Sequence, residues 1–183
     1  MIKDDMKPAL GVTEPGAIAF AVAKARSFTK GDIKKVNVAM NSGMYKNAFT
    51  CGIPNSNEVG NIFAAALGVV AGNADKGLES LADVTPEDNV KAQEMIDQGK
   101  ITVELSGITS RIFIEATVET EEDKAIVTIR DSHTNITKII VNDKVELETE
   151  DEKKTEEDGG EEESHSIHKY TLQQLYDYVT TVD

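Results

Sequence analysis

The sequence predicts an α+β fold: Ala-rich helices packed with a mostly antiparallel sheet in β-α-α-β-β-β order, then a disordered acidic linker and a C-terminal helix. Three observations carry that prediction. The stretches AIAFAVAKARSF from Ala17 and NIFAAALGVV from Asn61 are small and apolar, the first through its inner half nearly all round, as in buried helices packed closely against neighbours. From Lys100 the hydrophobic period changes from helical spacing to two. Residues 146–163 hold eleven acids against two lysines, too little apolar surface to offset the entropy of ordering.

Each element has a local reason. Thr13-Glu14-Pro15 opens the first helix, with Thr13 as N-cap, Glu14 at the positive dipole end and Pro15 in the tolerant first turn. Gly31-Asp32 breaks the chain, and Ile33 to Met40 alternates as a strand. Asn41 to Gly60 is rich in Gly and Asn, with a short helical turn expected around Tyr45–Phe49; such connections often carry binding chemistry. After the Asn61 helix, Gly72-Asn73 is the stop, and Asp75 to Ala82 reads as a short amphipathic helix. Thr85-Pro86-Glu87-Asp88 is a helix start, predicted to bury Val90, Met95 and Ile96 before Gly99 ends it. Ile101/Val103/Leu105, Ile112/Ile114/Ala116/Val118, Ala125/Val127/Ile129 and Ile136/Ile139/Val141 then read as an antiparallel meander. The strand at 33–40 is expected to join the same sheet, the helices between 59 and 98 forming the crossover. Four segments follow: 1–30 as the N-terminal helical segment of a larger domain, 31–145 as an α/β lobe, 146–168 as linker, and 169–183 as the start of a truncated helical region.

Charge and composition narrow the function. The net charge is -14, and nine of those charges fall in residues 146–163. A chain this acidic repels phosphate backbones, which argues against a nucleic-acid partner. The longest apolar run, Ile62 to Ala71, is too short to span a bilayer, and the first ten residues show no secretory signal. The single cysteine, Cys51, permits neither an intrachain disulfide nor a multi-cysteine metal site. The expectation is a cytoplasmic protein with no metal or cofactor of its own in this chain.

Three short constellations are candidates for chemistry. Around Thr13 and Glu14, a helix N-terminus offers N–H groups suited to an anion, although the local pattern also describes an ordinary cap. Lys46 and Asn47 offer donors for a small amino-acid carboxylate, or belong to a plain turn-rich connection. Asp131-Ser132-His133-Thr134-Asn135 places one imidazole among small polar residues at a strand end. His133 there is a general acid or base, or the whole segment is a tight turn held by its own side chains. Cys51 reads as a small apolar filler.

Taken in order, these pieces resemble a family. Lys7 to Ala19 (KPALGVTEPGAIA) is similar to the KPALGCTEPxAIA stretch of iron–sulfur L-cysteine desulfidases, which are related to the iron–sulfur L-serine dehydratases. Tyr45-Lys46-Asn47-Ala48 with Gly52-Ile53-Pro54, then Ala64 to Gly68, Gly77-Leu78, Asp83 to Glu87 and Asp131 to Ile136 continue the resemblance in register. It implies β-elimination of cysteine or serine to pyruvate and ammonia, with sulfide from cysteine, at a [4Fe–4S] cluster held by three cysteinates. It also implies that Thr13, Glu14, Lys46, Asn47, Ser132, Thr134 and Asn135 lie on the substrate side, with His133 in proton transfer. The chain departs from the family at one ligand: the cluster cysteine of GCTEP is Val12 here, and the other two belong to a C-terminal half outside this chain. The expectation is therefore an N-terminal fragment or degenerate lyase, inactive alone. The alternatives are a split subunit completed by a C-terminal partner chain, and a non-catalytic amino-acid-binding module, either of them open to homo-oligomerisation.

Overall fold

The computed structural model describes residues 9–108, 110–149 and 170–181. Residues 9–149 fall in one compact unit, with no break at residue 30; the C-terminal helix belongs to a second unit. Helix α1 (Thr13–Arg26) leads into β1 (Ile33–Met40), α2 (Ser42–Ala48) and α3 (Asn61–Ala71). A 3₁₀ segment (Ala74–Glu79), α4 (Pro86–Asp97) and strands β2 (Ile101–Leu105), β3 (Phe113–Thr120), β4 (Lys124–Arg130), β5 (Ile136–Val141) and β6 (Lys144–Glu148) follow. The chain is α+β, with a six-stranded mixed sheet ordered β2-β1-β3-β4-β5-β6.

Helix α1 is buried on every side, from Pro15 through Ala23, and Ala25 is buried too. Its small side chains let α3 approach until a Cβ on Gly68 would sit 2.8 Å from the Ala19 carbonyl oxygen. Both helices cover one face of the sheet, α1 over β3 and β4 and α3 over β1 and β2. That face supplies Val36, Val38, Met40, Ile114, Ala116, Val118, Ala125, Val127 and Ile129, each fully buried. The opposite face carries Lys35, Asn37, Thr117, Glu119 and Lys124, as expected of a sheet packed on one side.

The structure differs from the sequence-based expectation in several places, each with a local cause. Strand β2 does not hairpin into β3. It pairs parallel to β1, with Val36 opposite Ile101, and β1 lies between β2 and β3. The meander is β3-β4-β5-β6, all antiparallel. In β5 the buried set shifts phase between Ile136 and Ile139 because the pairing with β4 is irregular between Thr128 and Ile129. The expected helix at 75–82 is a 3₁₀ segment kinked at Gly77, whose φ of 55° no α-helix accommodates. In α4 the capping box forms between Thr85 and Asp88, but Ala92 is the buried residue and Val90 is 60 % exposed.

Strand β6 takes residues 144–148, three of which the sequence reading gave to the linker. It is an exposed edge strand, tied to β5 by the Lys138–Glu148 ion pair. Thr149 still bonds to the Thr137 carbonyl, and the expected linker from residue 150 on, with His165 and His168, lies outside the described residues. Helix α5 (Leu172–Thr181) is amphipathic and capped by Thr171, whose hydroxyl accepts from the Gln174 N–H. Among the described residues no helix is long and apolar enough to cross a membrane.

Candidate functional site

Helix α1 begins one residue earlier than a Thr13 cap requires. Val12 is the N-cap, extended and without a side-chain acceptor, and it is 47 % exposed. Thr13 and Glu14 thus occupy the first turn, and the Thr13 hydroxyl is not spent on capping. It donates to Glu14 Oε2 at 3.2 Å and lies 3.4 Å from His133 Nε2, across 120 residues of sequence. Glu14 Oε1 accepts from Asn47 Nδ2 at 3.1 Å. One chain of polar contacts therefore joins α1, α2 and the β4–β5 turn.

The turn owes its shape to its own backbone. Asp131 adopts a positive φ of 65°, Ser132 N–H donates to the Arg130 carbonyl, and Asn135 N–H donates to that of Ser132. Asn135 Nδ2 also donates to the Arg130 carbonyl, so its amide closes the turn and does not face the Thr13–Glu14 group. Ser132 is exposed and Thr134 half-buried in the same turn. Lys46 stands on the exposed side of α2, and among the described residues no hydrogen bond ties its ammonium to the group. Cys51 Sγ donates to the Asn47 carbonyl and so steadies the end of α2.

Electrostatics tune the imidazole. Burial holds His133 below its ordinary pKa; the Glu14 carboxylate pulls it up and Arg111 pushes it down. A half-buried histidine with a lowered pKa is neutral at physiological pH and able to accept a proton. The single Thr13 hydroxyl proton serves Glu14 or His133, not both. When it serves Glu14, Nε2 carries the ring proton and Nδ1 is the basic nitrogen.

Sequence reasoning thus named Thr13, Glu14, Asn47 and His133, which the fold brings together. It missed Arg111, one cation in the polar β2–β3 loop, which has no local pattern to mark it. A separate cleft of about 570 Å³, lined by Asn55, Ser56, Glu58, Phe63, Asn89 and Gln93, contains none of the predicted residues.

The donor set does not fit an iron–sulfur cluster. An isopropyl group stands at residue 12, and the one thiol is engaged with a carbonyl. Among the described residues no group of three or more His, Cys, Asp or Glu is placed to hold a metal ion.

Comparison with known proteins places the chain among homologues named UPF0597. A UPF0597 protein of Clostridium botulinum (strain Hall) is 35 % identical over 185 residues, covering 100 % of this chain and 43 % of the relative. A second from that strain is 37 % identical over 154 residues, covering 84 % of this chain and 36 % of its own length. One from strain Okra is 38 % identical over 148 residues, covering 81 % of this chain and 34 % of its own length. The chain spans less than half the length of these relatives. No family model and no solved structure matches it.

Proposed function

We infer that this chain is the amino-acid-binding part of a β-eliminating lyase for cysteine or serine, inactive by itself. The observation that carries the reading is the approach of His133 Nε2 to the Thr13 hydroxyl, with Glu14 in the same group. These residue types suit an amino acid. The Glu14 carboxylate takes the α-ammonium, and the neutral imidazole of His133 takes the α-proton. Thr13 fixes the imidazole and Glu14 relative to each other. Elimination leaves an enamine that hydrolyses to pyruvate and ammonia. The leaving group needs an acid that these residues do not supply, hence inactivity alone.

Val12 favours a second reading, a non-catalytic amino-acid-binding module, because that position offers no ligand atom. One experiment separates the two. The chain is co-expressed with a polypeptide corresponding to the part of its relatives that it does not match, with and without Val12→Cys, and pyruvate is assayed from cysteine and serine under anaerobic, iron- and sulfide-supplemented conditions. Activity from the Val12→Cys pair, none from the chain alone, and loss on His133→Gln supports the lyase. Amino-acid binding without pyruvate in any combination supports the module.

A further inference from the structure

The site described above has a carboxylate and an imidazole but, in Lys46, no cation that reaches it. Asn41 points to where one comes from. It occupies the N-cap position of α2, yet its side chain does not cap that helix. The residue is 6 % exposed, and its amide reaches into the β2–β3 loop. Nδ2 donates to the Ser110 carbonyl at 3.0 Å and to the Arg111 carbonyl at 3.3 Å, while Oδ1 accepts from Phe113 N–H at 3.2 Å. A buried amide with both ends satisfied fixes the backbone on either side of Arg111. The same loop leans on the histidine-bearing turn, because Asp131 N–H donates to the Ile112 carbonyl at 3.2 Å. The Arg111 backbone is thus held from the N-cap of α2 on one side and from the β4–β5 turn on the other.

Its side chain is exposed and, among the described residues, makes no ion pair or hydrogen bond. In a chain with 33 acids against 19 bases, a guanidinium on the loop that touches the histidine-bearing turn, paired with no acid among the described residues, is suited to an anion. Arginine's planar fork of donors matches a carboxylate in two parallel hydrogen bonds.

The geometry points to Arg111 as the carboxylate anchor of the site, receiving the α-carboxylate of the amino acid whose ammonium faces Glu14. This assignment rests on the amino-acid reading and adds the residue that selects for a carboxylate. Glu14 and Arg111 then define the two ends of the ligand, with His133 between them.

Proton NMR of the imidazoles tests it on the chain as it stands. With only three histidines, the His133 signal is assigned by its loss in His133→Gln. The probes are L-serine and L-serinamide, which differ in the carboxylate alone when both amines are protonated. Wild type is expected to bind L-serine about tenfold more tightly than L-serinamide. Arg111→Gln brings the two affinities within about twofold of each other, and Arg111→Lys keeps part of the preference. Thermal melts of the variants matching wild type show that this exposed position does not act through folding.

An unchanged preference for L-serine in Arg111→Gln overturns the assignment. If Glu14→Gln still weakens both ligands, the amino-acid site stands without Arg111. Sodium acetate against sodium chloride at equal ionic strength gives a readout independent of the amino group. Acetate moves the His133 signal in wild type and not in Arg111→Gln. An acetate effect that survives the substitution contradicts the anchor, and no response to any of the three probes in wild type removes both the anchor and the site it serves.

Discussion

The packed length of α1 and its polar first turn lie on one continuous helix and obey opposite rules. Along Ala17 to Ala23 the side chains are apolar and buried, and most are small, so that Gly68 can meet the Ala19 backbone. One turn earlier, Thr13 and Glu14 meet Asn47 and His133 through hydrogen bonds alone. Packing in the first region is dense, so added volume is punished. In the second, stability matters less than which atoms face one another. A helix anchored by a rigid apolar layer can hold a polar first turn in a fixed position without capping it.

The largest expected effect breaks the packed side. Gly68→Val drives methyl groups into the Ala19 carbonyl and the Val22 side chain. It is expected to cost about 3 kcal/mol or more and to lower the melting temperature by roughly 10 °C, read by calorimetry. Asn41→Ala is next: it leaves two carbonyls and an N–H of the 110–113 backbone without their partner, at roughly 2 kcal/mol in denaturant unfolding.

His133→Gln sharpens the polar side. Because the folded-state pKa of His133 is lowered, the unfolded chain binds more protons as the medium turns acid, and stability falls as pH drops through the imidazole range. The variant loses that component, so its stability changes less between neutral and mildly acidic pH. Val90→Lys is the smallest: at 60 % exposure it is expected to stay within about 0.5 kcal/mol of wild type, although periodicity alone places Val90 in the core.

That last case shows what was legible in the sequence. Elements set by local chemistry were readable: the Thr85–Asp88 capping box, the alternation of β3 and β4, the small apolar face of α1. Features set by distant partners were not. Whether Val90 or Ala92 faces inward depends on where α3 lies. The placement of β1 between β2 and β3 depends on pairing across more than sixty residues of separation. The site divides in the same way. Thr13, Glu14, Asn47 and His133 stood out as residue types within short motifs, but their meeting is a product of topology. Arg111 stood in no motif, and the position of its backbone follows from a buried amide at the N-cap of α2. Asn135 had a suitable side chain for a ligand, and the turn used it first.

The central claim is that α1, the β2–β3 loop and the β4–β5 turn close around one imidazole. The most direct test is the His133 titration followed by NMR in wild type, Glu14→Gln and Arg111→Gln. In wild type the midpoint is expected below the ordinary imidazole value; losing the Glu14 carboxylate lowers it further, and losing the Arg111 charge raises it. Three coincident midpoints at the ordinary value would show that the imidazole faces neither group, and the site as described would not exist.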